Sequence, residues 1–138
     1  MPLGSPRELA NGGQITRFTH SRRDINPSIG LVKPDAFLPP PDGRTSIAET
    51  TGLAQNAIWA MARHTLRPQP GRDRVIARAD REVAAAIHAG LRCLRDDSGF
   101  LGHGELQNWP EAKARQKKVA LALCAASSLV LAEPQITL

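Results

Sequence analysis

The chain has 138 residues, 41% of them hydrophobic, with 18 Lys+Arg against 13 Asp+Glu and a formal net charge of +5. That length and apolar content suit one folded domain and exclude a disordered chain. No run reaches the roughly 18 apolar residues of a membrane helix and no charged-then-apolar signal opens the chain, so a soluble, cytoplasmic and, from the Ala/Arg-rich composition, bacterial protein is expected.

Residues 1–13 hold three Gly and two Pro without periodicity and are expected to be a disordered leader, leaving 14–138 as a single domain. Gln14–His20 (QITRFTH) is β-branched and aromatic and predicts a strand. Ser21–Pro41 carries Pro27, Pro34, Pro39, Pro40 and Pro41, which remove donors and fix φ, so neither helix nor central strand fits. The interspersed Ile29, Leu31, Val32, Phe37 and Leu38 point instead to an ordered loop lying on the core.

Asp42-Gly43 marks a turn and Thr45–Glu49 a short strand. Over Leu53–Leu66 the positions Ala54, Ala57, Ile58, Met61 and Thr65 recur at helical spacing, predicting a helix capped by Thr51 and ended by Pro68 and Pro70. Arg74–Ala79 predicts a strand, and Asp80 is expected to cap a helix through Ala89, with Gly90 at its end. Leu91–Leu94 reads as a strand, Asp96–Gly102 as a turn and His103–Leu106 as one more short strand.

Trp109-Pro110-Glu111 opens the longest helix, expected to reach about Ser127 and to bury Val119, Ala120, Leu123 and Ala126. An apolar strand at Leu129–Ala132 follows. The expected fold is α+β (or α/β), a small mixed sheet of about five to six strands with three helices.

The surplus charge lies in residues 1–81, with 12 Lys+Arg against 7 Asp+Glu; residues 82–138 hold 6 of each. Fourteen of the 18 cations are Arg, whose guanidinium fork grips phosphate or carboxylate through two donors. Arg17, Arg22, Arg23 and Lys33, with Arg74 and Arg78 on a second segment, are the candidate anion-binding residues.

Of the four histidines, His20 and His103 lie on strand or loop segments, and Glu105 falls two residues beyond His103 on the same side of a strand. These three are the candidate acid–base groups. None of the histidines stands in a metal-binding spacing, so no metal or cofactor is expected. Cys93 and Cys124 are too few for a disulfide framework and are expected as buried, reduced thiols. Trp59 and Trp109 are candidate stacking or interface residues, although a Trp before a helix-opening Pro more often packs onto the next turn.

No nucleophile-elbow, phosphate-loop, dinucleotide or CxxC motif is present. The leading expectation is a basic binding module whose Arg-rich face engages nucleic acid or an acidic protein, with no membrane partner and with a homo-oligomer left open. The alternatives are a small enzyme acting on a nucleotide or phosphorylated substrate through an Arg clamp and a His acid/base, and an antitoxin, immunity or accessory subunit. Convergence of Arg17, His20, Arg78 and His103 in one cleft separates the enzyme from the other two.

Overall fold

A computed structural model describes residues 6–26, 28, 30–125 and 127–137. Nine strands form: β1 (Arg7–Glu8), β2 (Gln14–Thr19), β3 (Ile25–Asn26), β4 (Leu31–Val32), β5 (Thr45–Glu49), β6 (Arg74–Glu82), β7 (Arg92–Arg95), β8 (His103–Gln107) and β9 (Ser128–Thr137). The helices are α1 (Gln55–Ala62), α2 (Val83–His88) and α3 (Lys113–Ala125). Seven strands build one sheet in the order β1-β7-β8-β5-β2-β6-β9, and β3 and β4 pair separately.

The α+β class holds, but the sheet has seven strands, not five to six, and every pairing in it is antiparallel, so it is not mixed. The uncounted strand is β1, whose two residues pair with Leu94 and Arg95. Two residues are too short to show a period of two, which is why composition alone marked that stretch as leader. Leu9, just after β1, is 5% exposed within the core, so the described part of residues 1–13 is tied to the domain.

Both faces of the sheet are covered. On one face Ile15, Ile47, Cys93 and Leu106 meet Ala120, Leu123 and Cys124 of α3 together with Ala36 and Phe37 of the proline-rich segment. On the other, Phe18, Ala48 and Val75 meet Ile58 and Ala62 of α1. The described residues of 21–41 thus lie over the core, with two 3-10 turns, at Arg22–Asp24 and Pro34–Ala36, and the β3–β4 pair. Both cysteines are free and buried, and burial pushes the Cys93 thiol up to about 11 and the Cys124 thiol up as well, which disfavours the thiolate at both. Ala126, expected in the buried face of α3, lies outside the described residues.

Tertiary pairing overrode two local signals. Asp80 does not cap α2, because β2 holds β6 as far as Glu82 through the Gln14↔Glu82 pair. Thr51 does not cap α1 either, because its hydroxyl accepts the N–H of Gln14 while the helix begins after Ala54.

One feature of the sheet positions the site. β2 and β5 are central neighbours, yet they pair only at Ile15↔Glu49 and Thr16↔Ala48. Continued, that register would set Phe18 opposite Ser46. The strands part instead, and the Ser46 carbonyl takes its hydrogen bond from the Arg17 guanidinium at 2.8 Å. A side chain replaces the missing rung, as a backbone acceptor must be satisfied.

Candidate active site

The gap between β2 and β5 opens into a cleft of about 380 Å³ on the α1 side of the sheet. It is lined by three of the four histidines, His20, His64 and His103, and by Arg17, Arg67 and Arg72. No Asp or Glu is among its lining residues. Arg17 is half-buried and donates to the carbonyls of Ala36 and Ser46, with no ion pair among the described residues. Burial first, and Arg72 second, hold its guanidinium down to about 10, so it remains a cation at neutral pH. Cations without an ion pair on a concave wall make a positive field, tempered at Arg17 and Arg72 by the nearby Asp24 carboxylate.

His103 is placed by the β7–β8 hairpin. The hairpin is drawn tight by Gly104, where an added Cβ would run into the Leu94 carbonyl oxygen. At its mouth the N–H groups of Asp96 and Asp97 both donate to the His103 carbonyl, which sets Asp96 against the imidazole. Asp96 Oδ1 lies 2.7 Å from His103 Nδ1 and also accepts the Ser98 N–H at 2.9 Å. His103 pairs with Ala48 across β8 and β5, which makes Ser46, two residues along, its diagonal neighbour on the same face. The Ser46 hydroxyl is 3.3 Å from His103 Nε2. Phe100 packs edge-on to His103 with its centroid 5.4 Å away and stacks flat on His64.

His20, at the end of β2, sets Nε2 2.9 Å from the Thr65 hydroxyl. Thr65 spends its proton on the Ala62 carbonyl at 2.6 Å, so His20 is the donor and carries its hydrogen on Nε2. Burial first, then the charges of Arg72 and Arg17, hold its imidazole down to about 4. His20 is therefore neutral at pH 7.

A stability prediction follows from that shift. Between about pH 4 and its ordinary 6.5, the unfolded chain binds a proton at His20 that the folded chain refuses. Stability should therefore rise with pH through that window, by on the order of 3 kcal/mol, and the contribution should be complete above it. Urea melts of the wild type and of His20→Gln across pH 4–7 measure it, and parallel pH curves for the two proteins would refute it.

Compared with protein-family models, curated proteins and solved structures, the chain gives no significant match.

The cleft brings together Arg17, His20 and His103 but not Arg78. Arg78 is 0% exposed, bonded to Asp80 and Gln55, with its guanidinium 4.5 Å from the Trp59 ring centre. It is an internal group and out of reach of an external anion. Trp59 is occupied by Arg78 and Phe18, and Trp109 is half-buried against the α3-side core. Glu105 is not the partner of His103, being bonded by Gln107 and lying 3.9 Å from Arg44. Arg22, Arg23, Lys33 and Arg74 are exposed and outside the cleft lining.

Arg67, His64, Ser46 and Asp96 were missed by sequence reasoning, and Arg72 was not counted among the candidate anion-binding residues. Asp96 was legible in principle, since closing a hairpin between the two expected strands puts position 96 beside 103. Ser46 was not, because its neighbour depends on the long-range pairing of β5 with β8. Among the described residues no three His, Cys, Asp or Glu side chains gather as a metal set, and no helix is long and apolar enough to cross a membrane.

Proposed function

We propose that this chain is a small enzyme acting on a phosphorylated or nucleotide substrate bound in the β2/β5 cleft. Arg17 and Arg72 supply the field for the anion, and His103 transfers the proton. The observation that carries this reading is the convergence of three cations and three imidazoles on one cleft without a lining carboxylate. His103 is the group suited to proton transfer, since a carboxylate orients one ring nitrogen and the other faces the cleft. Neutral His20 serves better as a hydrogen-bonding wall than as an acid.

A second reading keeps the chain as a basic module for nucleic acid or an acidic protein. It is favoured by Arg22 and Arg23, exposed together on one 3-10 turn, and by exposed Lys33, whose N–H joins that turn at the Asp24 carbonyl. An accessory subunit docking through Trp59 loses support, because that ring is already packed.

One titration separates the two. With ¹⁵N-labelled protein, inorganic phosphate and adenosine monophosphate should perturb the amides of residues 17–20, 64–72 and 98–103. Hydrolysis of p-nitrophenyl phosphate should fall about 100-fold or more in His103→Asn. Shifts confined to residues 22–33, seen only with an oligonucleotide and lost in Arg22→Glu/Arg23→Glu, would reject the enzyme in favour of the binding module.

A further inference from the structure

The cleft presents four hydroxyl side chains, on Thr16, Ser46, Thr65 and Ser98. Thr16 is fully buried, its oxygen bonded to Asp80 and Thr50, so no substrate reaches it. Thr65 faces an imidazole nitrogen, but its proton is given to Ala62, and that nitrogen already carries hydrogen, so His20 has no lone pair there to act as base. Ser98 has no imidazole against its hydroxyl among the described hydrogen bonds; its backbone N–H holds Asp96.

Ser46 differs from all three. It is exposed to the cleft, and its oxygen lies 3.3 Å from His103 Nε2. The opposite ring nitrogen is held 2.7 Å from a carboxylate. An anionic acceptor at Nδ1 keeps the hydrogen on Nδ1 and leaves the Nε2 lone pair pointing at the hydroxyl. The serine contact is at the long end of the hydrogen-bond range, as nucleophile–base contacts in unliganded sites commonly are.

We infer that Ser46 is the nucleophile of this cleft, activated by His103 as general base with Asp96 as its positioning residue, and that it is phosphorylated in the course of turnover. The inference rests on the phosphoester reading above. In the first step Ser46 Oγ forms a bond to phosphorus while the bond from phosphorus to the leaving oxygen breaks. The Oγ proton passes to His103 Nε2 and then to the departing alkoxide, which leaves as an alcohol. In the second step water attacks the phosphoserine, His103 takes one of its protons, the P–Oγ bond breaks, and that proton returns to Ser46 with release of inorganic phosphate. No oxidant, metal or further reactant is needed for the balance. The Arg-lined wall stabilises the charge that builds on the phosphoryl oxygens.

The test uses a fluorophosphonate, whose fluoride is displaced by an activated serine to leave a stable phosphonyl ester. The full chain should gain one adduct, located on Ser46 by peptide mass spectrometry, and inorganic phosphate should slow the labelling. Ser46→Ala should not label, and His103→Gln should label at least about 100-fold more slowly. Phosphate binding by Ser46→Ala is measured in parallel by the amide shifts of residues 98–103. Absence of an adduct, or labelling of Ser46 at an undiminished rate in His103→Gln, overturns the nucleophile even where phosphate still binds. A His103-dependent adduct in a protein that does not bind phosphate supports the nucleophile and rejects the anionic substrate instead.

Discussion

Arg78→Met is expected to cost about 3–5 kcal/mol of folding free energy, a substantial share of the margin of a domain this size. Arg78 is fully buried and lies 3.2 Å from both carboxylate oxygens of Asp80, whose side chain is 15% exposed. Methionine fills much of the volume over Trp59 but leaves the carboxylate, among the described residues, with only the Thr16 hydroxyl. The uncompensated charge, not the lost contact area, is the main penalty. A second substitution, Asp80→Leu, made together with Arg78→Met, should recover a large part of the loss, because removing both charges removes the desolvation problem. Guanidinium melts of the two single variants and the double variant close the cycle. A single-variant loss below about 1 kcal/mol, or no recovery in the double variant, would show that the pair is not what organises this face.

The second large effect is expected at Asp96. Asn at this position keeps the shape, but one oxygen, Oδ1, takes both the Ser98 N–H and the His103 ring, so an amide turned to donate its nitrogen to His103 Nδ1 gives up the Ser98 bond. The ring then places its hydrogen on Nε2 and has no lone pair for Ser46. Fluorophosphonate labelling should slow by about 10³–10⁴-fold, the loss typical of an imidazole held in the wrong tautomer. A purely structural role predicts a different pattern, with a lowered melting midpoint and labelling reduced only in proportion to unfolded protein. The expected result is therefore a midpoint lowered only slightly by the lost Ser98 bond, unchanged phosphate affinity and a lost rate, with partial recovery in Asp96→Glu. A fall of less than tenfold at full stability would leave Asp96 as a clasp for the hairpin mouth and nothing more.

The elements with strong periods were legible from the sequence. Thr45–Glu49 forms as expected, and Gln14–Thr19, the two hairpin strands and the long C-terminal helix differ from expectation by only a few residues at their ends. What the pattern could not express was pairing over distance. Arg78 alternates with Ala77 and Ala79 as an outward residue would, but its side faces α1 and not water, since this sheet is covered twice. The charge count likewise located the surplus in the first 81 residues, but counted Arg78 as available when it is fully buried and bonded inside the protein. His103 was singled out on its segment, with the wrong acid beside it. Glu105 shares its strand, whereas Asp96 reaches it only when the turn closes.

The short ladder between β2 and β5 divides the sheet into two leaves. One leaf comprises β1, β7, β8 and β5 and carries Ser46, His103 and Asp96 as a unit. The other comprises β2, β6 and β9 and carries Arg17 and His20, with Arg72 leading into it. Two residue pairs, one guanidinium strut and the hydrogen bonds of Gln14 and Thr16 to Thr50 and Thr51 join them. Widening this seam would change the grip on a ligand without altering the spacing of the reacting groups. A guest that draws Arg17 toward itself loosens the strut from the Ser46 carbonyl at the same moment. If the cleft is occupied as proposed, occupancy would be coupled to the seam at the serine's own backbone.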